Sequence, residues 1–421
     1  MGRAADLLII GAGDAAAEMA ADLAGLGFST HVCNGEALQR ALERQRFDAA
    51  VSLEAPSVEL PERLTHIAVG DHDTPASARL VDPAHPIQIA ARLRAVMRLD
   101  VLEDTAQARV ADVEAAGLTR LETGPGRTES TLLYIGGPDP VFMRLNAAME
   151  NAGIEVIAAF TTFNAFDYLH ERAFDAVVVN AEPDPDLAHT VCSAMRRNTR
   201  LYHTPALLLT NKELYPAADE AFARGASDIL HADADPEALC ERVAALAEER
   251  RRRRRAKATL ETCRLSALLD ESTGLFEPGF ARRHLDTLIA RNEERNGSLA
   301  LVALRAATPV EADDAHADSA LVQFASMLRH CVRAEDLAVR ADRNAFYLAL
   351  PATGAEEAET VAARVSAIAE CTAYESGDPL KPFRIDVRRA VVERDRNECA
   401  DALVRRAFAA IGDGGVNRAT G

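Results

Sequence analysis

"LLYIGGPDP", Leu132–Pro140, decides how the first half of this 421-residue chain is read. It repeats an earlier stretch, "LLIIGAGDAAAEMAADL" at Leu7–Leu23. Taken alone, the earlier copy is an apolar run of strand length that opens into Gly11-x-Gly13-x-x-Ala16 and continues with helical spacing. That is nearly the fingerprint in which glycines let a pyrophosphate approach the N-terminus of a helix. The later copy carries Gly136-Gly137-Pro138-Asp139-Pro140 at the equivalent place, which is no such fingerprint. The earlier copy also has Cys33 and Asn34 where a ribose hydroxyl would need an acidic residue. A tight strand-to-helix turn is therefore the preferred reading, with nicotinamide dinucleotide binding as its competitor.

A second pair of stretches extends the repeat. "RFDAAVSLEAP" from Arg46 returns as "AFDAVVVNAEPD" from Ala173. In each copy a strand and helix come first and a second strand follows. The third strand starts at Phe-Asp, and two more strand–helix units are expected after it. Such alternation builds α/β domains with a doubly wound parallel sheet. Residues 100–128, which include most of "ETGPGRTES", read as a polar linker between the copies. Leu239, Val243 and Leu246 recur at helical spacing, so the last helix of the second copy is expected to run on as a connector. The unbroken block Arg250–Arg255 on it has two readings. It is a solvated helix face paired with Glu241, Glu248 and Glu249, or a surface for an acidic partner or a bound anion.

Composition narrows the function classes. A net charge of −18 argues against a nucleic-acid binder, because neutralising phosphates takes a basic surface. Seven cysteines without a Cys-x-x-Cys pair imply neither a zinc site nor a disulfide framework, and suit a reducing compartment. No apolar run reaches membrane-spanning length and no basic region leads into an apolar one at the N-terminus, so a cytoplasmic protein without a membrane partner is expected.

On these residues the repeat unit resembles the receiver domain of response regulators, a flavodoxin-like fold. That resemblance implies an acidic pair after the first strand to hold Mg²⁺, a phosphorylatable Asp ending the third, a Thr or Ser ending the fourth and a Lys ending the fifth. The acidic pair maps to Gly11 and Ala12 in one copy, and to Gly136 and Gly137 in the other. The acceptor position maps to Leu53, with Glu54 beside it, and to Asn180. Thr210 remains, while the lysine positions read His85 and Ala232. An amide or an alkyl group does not accept a phosphoryl group as a carboxylate does. Both copies are expected to be degenerate receivers serving packing and docking.

From Asp270 the pattern changes. "DESTGLFEPGFARRHLDTLI" and "VRAEDLAVRADRNAFYLALP" resemble the opening and central stretch of diguanylate cyclase (GGDEF) domains, an α+β fold of nucleotide-cyclase palm type. Receiver, receiver, GGDEF is the architecture of PleD-type response regulators, and the decayed motifs make the chain most similar to the PopA group among them. The expected domains are 1–115, 128–250, a linker helix at 251–269, and 270–421. Condensing two GTP molecules takes two metal ions held by carboxylates. Here Ala303 and Arg305 stand where the family has an Asp-x-Asp pair, and the signature reads Asp342-Arg343-Asn344-Ala345-Phe346. Asp318 keeps its place, while the family's late Lys and Arg map to Ile411 and about Gly415. No metal and no catalysis are therefore expected.

The family's inhibitory site for cyclic di-GMP, an Arg-x-x-Asp motif before the signature, is kept as Arg333 and Asp336, with Arg364 in register for a third ligand. Arg291 is a further candidate, acting from a neighbouring subunit. Guanidinium forks suit guanine O6 and N7 or phosphate, and a carboxylate accepts the guanine N1 and N2 hydrogens. The resemblance implies a non-catalytic cyclic di-GMP receptor, a homodimer at a cell pole. It would bring an adaptor and substrates to an ATP-dependent protease during the cell cycle. A pure interaction scaffold and a divergent active cyclase are the alternatives.

Overall fold

The computed structural model describes residues 4–413 apart from 81, 83, 121–129, 183, 211–217, 296, 310–311 and 376–381. Most of "ETGPGRTES", and Gly415, thus lie outside the described residues. The chain divides into two units, Ala5–Asp100 with Gly124–Arg255, and Val101–Thr123 with Ala256–Gly421 and the first four residues.

The first unit contains both copies of the repeat. Copy one runs β1 (Ala5–Ile10), α1 (Gly13–Gly25), β2 (Phe28–Cys33), α2 (Gly35–Arg44), β3 (Ala49–Ser52), β4 (Thr65–Val69), β5 (Ala78–Leu80) and α3 (Pro86–Ala115). Copy two runs β6 (Thr131–Ile135), α4 (Pro140–Asn151), β7 (Glu155–Ala159), α5 (Thr162–Glu171), β8 (Ala176–Asn180), α6 (Pro185–Arg197), β9 (Ala206–Thr210), α7 (Ala218–Ala223), β10 (Asp228–His231) and α8 (Pro236–Thr262). The sheets are parallel with orders β2-β1-β3-β4-β5 and β7-β6-β8-β9-β10, the same doubly wound arrangement twice.

The recurrent Phe-Asp has a structural cause. Asp48 and Asp175 stand just before β3 and β8, and each carboxylate accepts a backbone N–H from the neighbouring first strand. Those donors are Asp6 at 2.7 Å and Thr131 at 3.1 Å. In copy two, Asp139 and Asp184 cap α4 and α6 ahead of a proline at the first helical position, accepting from the N–H of Phe142 and Leu187.

Copy one departs from the expected alternation. No described helix separates β3 from β4 or β4 from β5. The intervening stretches carry Pro56 and Pro61, then Gly70 at φ +93° and Pro75, which stop helices before they form.

The copies meet through their terminal helices. Gln88 of α3 donates to Asp228 at 2.5 Å, Arg92 pairs with Glu249 of α8, and Arg242 of α8 pairs with Asp228 at 3.3 Å and donates to the Arg79 carbonyl. The arginine block on α8 is also engaged inside this unit. Arg251 pairs with Glu248 at 2.9 Å, Arg254 with buried Asp175 at 3.1 Å, and Arg255 with Glu248. Glu248 is an expected partner; Asp175 is a new one, supplied by the strand start rather than by the helix itself.

In the second unit α3 continues from Val101 to Ala115, so the segment read as a polar linker is helical through its first half. Leu102, Ala106, Arg109 and Val113 recur at four, three and four residues and are all buried. Gly117, at φ +74°, ends the helix, and Leu118 N–H closes back on the Val113 carbonyl at 3.2 Å. At the other entry point α8 runs on as the expected connector through 251–262 but ends at Thr262, before the expected end at 269, and a turn at Ser266–Leu268 follows.

The domain then runs α9 (Pro278–Glu294), β11 (Leu299–Ala307), α10 (Asp314–Cys331), β12 (Leu337–Asp342), β13 (Ala345–Pro351), α11 (Ala355–Cys371), β14 (Asp386–Glu393) and α12 (Ala400–Asp413). Its antiparallel sheet has the order β12-β13-β11-β14. Alternation along β11 splits two cores. Ala300, Val302 and Leu304 pack with Phe324 of α10 and Val365 of α11, while Leu299, Leu301 and Ala303 pack with α9, α12 and Val113 of α3.

Candidate functional site

The Arg-x-x-Asp segment is the turn between α10 and β12. The Asp336 carboxylate folds back on it, Oδ2 accepting from the Arg333 N–H at 2.7 Å. Among the described residues Oδ1 has no hydrogen-bond partner, although the residue is only 6% exposed. Burial, reinforced by the charge of Glu335, pushes the carboxyl up to about 7 against the pull of Arg333 and Arg109. Arg333 itself is exposed. Arg364, on α11, donates to the carbonyl of Cys331 at 2.6 Å, at the end of α10 two residues before that segment. Arg291 is held elsewhere, donating to Asp104 of α3 at 2.8 Å.

The opening motif secures the adjoining strand. Asp270 accepts from Ser272, from Thr273 and, at 2.9 Å, from Arg340 of β12. Although burial opposes it, these hydrogen bonds bring its carboxyl down to about 2. Phe276 exchanges backbone hydrogen bonds with Ala338 and Arg340, which fixes β12 and the turn before it.

The signature is a hairpin tip. Asp342 Oδ1 accepts the Arg343 N–H at 2.7 Å, and the Arg343 side chain bonds Asp318 at 2.8 Å and Asp314 at 3.2 Å. Asp318 therefore partners an arginine of its own chain. Ala303 is fully buried, Ala345 nearly so, Asn344 exposed, and Arg305 lies over the Phe408 ring at 5.5 Å. Two methyls, an amide and a guanidinium do not fit a pair of divalent cations, which need carboxylate oxygens. Among the described residues no group of three or more His, Cys, Asp or Glu side chains is placed to hold a metal.

The corresponding places in the first unit are filled by protein. A Cβ on Gly136 would come within 2.6 Å of the Tyr134 hydroxyl and 2.8 Å of Asn180 Cβ, and Asn180 donates to Asp139 at 2.9 Å. In copy one a Cβ on Gly11 would meet Leu53 and Ala16 at 3.3 Å, and the Ala12 N–H at the start of α1 is turned to Glu54 at 3.3 Å. Gly11 thus serves a close turn against β3, and Glu54 occupies the donor that an anion would meet.

Comparison with known proteins finds a family match within the last domain. Residues 267–411 match the family model for the diguanylate cyclase GGDEF domain. No curated protein matches the chain. Among solved structures it is similar to the GGDEF domain of DgcB from Caulobacter crescentus in complex with c-di-GMP (18% identity, 35% of this chain and 88% of that one, TM-score 0.32). It is also similar to a sensory box/GGDEF family protein from Caulobacter crescentus CB15 (23%, 35% and 96%, TM-score 0.32). A putative response regulator from Chloroflexus aurantiacus J-10-fl matches at 26% identity over 29% of this chain and 99% of that one, with a TM-score of 0.27. The fold is two receiver-like domains followed by an α+β domain of GGDEF type.

Sequence reasoning missed the support beneath the Arg-x-x-Asp turn of this GGDEF-type domain. Arg109 of α3, 1% exposed, donates to the carbonyls of Ala334 at 3.3 Å and Glu335 at 3.0 Å, with Asp336 at 3.5 Å, and through Nε to His284 at 3.2 Å. Burial pushes His284 down to about 4 although Asp112 pulls it up, so the ring is neutral. Its Nδ1–H donates to Asp112 at 2.7 Å, and its other nitrogen accepts from Arg109. The available signal was a lone arginine in the middle of an apolar helical stripe.

Proposed function

We propose that the protein is a receptor for cyclic di-GMP that binds the dinucleotide at the Arg-x-x-Asp turn, does not synthesise it, and engages protein partners according to occupancy. One observation carries the reading: Asp336 Oδ1 is buried without a hydrogen-bond partner among the described residues, in a turn whose Arg333 is exposed and whose approach from α10 is held by Arg364. A buried acceptor left unmet costs about 1–3 kcal/mol, and a guanine N–H would relieve it. Arg333 would fork onto guanine O6 and N7 or onto phosphate, and Arg364 would offset phosphate charge. Absence of synthesis is supported by the Arg343 pairing with Asp314 and Asp318 and by the missing carboxylates at Ala303 and Asn344. Presentation of an adaptor and substrates to an ATP-dependent protease, polar placement and a homodimer rest on the resemblance to the PopA group alone.

Titration calorimetry with cyclic di-GMP tests the core of this. Micromolar binding that is lost in Arg333→Ala is the expected result; no heat, or equal heat in the variant, rejects it. Incubation with GTP and Mg²⁺ or Mn²⁺ tests the other half, and steady turnover abolished by Asp342→Ala would overturn it.

A further inference from the structure

Arg109 belongs to a helix that starts in copy one, yet its guanidinium lies under the turn on which the nucleotide reading rests. Three successive carbonyls, of residues 334, 335 and 336, converge on it. Its remaining face is fixed by Phe276, whose ring centroid is 5.4 Å away, and by the Arg109–His284–Asp112 chain, which Thr287 extends with a 2.9 Å bond to Asp112. A planar donor fork used in this way dictates the carbonyl directions of the turn, and hence where the Arg333 side chain and the Asp336 carboxylate project. The same helix reaches the domain at a second place, where Asp104 pairs with Arg291 and Arg295 at 2.8 and 3.0 Å. Leu102 and Ala106 form a buried cluster with Ala256 and Leu260, and Ala334, whose carbonyl accepts from Arg109, packs against that cluster.

We propose that Arg109 is the positioning residue of the Arg-x-x-Asp turn and that the second half of α3 is the element on which occupancy of that turn by a guanine dinucleotide registers. This rests on the nucleotide reading above. A ligand that draws the Asp336 carboxylate toward guanine must adjust the 334–336 carbonyls, and those carbonyls end on α3. Arg109 touches no ligand in this scheme. The coupling is reciprocal, so whatever shifts α3 alters the affinity of the turn by the same factor.

Two measurements on the full chain, both with cyclic di-GMP as probe, test it. Hydrogen exchange of wild-type protein should slow across residues 101–115 on saturation, by at least threefold. Calorimetry should show at least tenfold weaker binding by Arg109→Lys, which keeps the charge and the buried methylenes but lacks the fork. A purely structural arginine would lower the melting temperature of that variant, leave the affinity of its folded fraction unchanged and give no ligand response in α3. Wild-type protein that binds no cyclic di-GMP overturns this proposal together with the reading beneath it. Wild-type binding with unchanged exchange in α3, or with Arg109→Lys within twofold, overturns this proposal alone.

Discussion

Asp336 and His284 both meet Arg109, and burial shifts them in opposite directions with different consequences for pH. The Asp336 carboxyl is raised to about 7 by burial and by Glu335. From about pH 4 to pH 7 the native chain keeps a proton that the unfolded chain releases, so this group's contribution to stability falls across that window. Asp336→Asn should therefore melt higher than wild type at pH 8, with the gap shrinking toward pH 4 in scanning calorimetry; a gap independent of pH would contradict the shift. On the proposed receptor function guanine meets the ionised carboxylate, so cyclic di-GMP affinity should rise up to tenfold between pH 6 and pH 8 and then level. His284 is lowered to about 4, so below about pH 6.5 the unfolded chain takes up a proton that the native ring refuses. Stability should drop between pH 6.5 and 4, and His284→Gln should flatten that drop. None of these values was legible in the sequence, because burial of a single side chain depends on which distant helix covers it.

The repeat, the strand starts at Phe-Asp and the helix starts at Asp-Pro were legible at the level of elements, since each is a local device with its own residue signature. Two failures had physical causes. Copy one keeps the strands of copy two, but its prolines replace two helices with irregular chain. The stretch after Asp100 looked polar because it is rich in charged residues, and its buried stripe of Leu102, Ala106 and Val113 is itself interrupted by buried Arg109. Leu102→Ala should cost about 2–5 kcal/mol in urea unfolding of the C-terminal domain, whereas a solvated linker would be indifferent to it. Gly136→Ala is a second test, because its methyl would collide with Tyr134 and Asn180. A cost of about 1–3 kcal/mol is expected, partly relieved in a Tyr134→Leu background. An additive pair would mean that the acidic-pair position is not plugged as described.

For the molecule as a whole, the pairing of the two copies depends on charges taken out of water. Arg92 and Glu249 are 5% and 19% exposed in their side chains, so Glu249→Gln strands a cation. A loss of about 3–5 kcal/mol is expected in chemical unfolding of the receiver pair, with faster proteolysis between the copies; an unchanged midpoint would show the pair to be dispensable. The passage of α3 from one unit to the other bears on how such a chain evolves and can be cut. A fragment beginning near Ser130, the natural choice for removing one receiver, would strip Leu102, Arg109 and Val113 from the apolar interior of the GGDEF-type domain. Exchange of the front domain for an unrelated sensor would meet the same obstacle unless the second half of α3 stayed with the GGDEF-type domain.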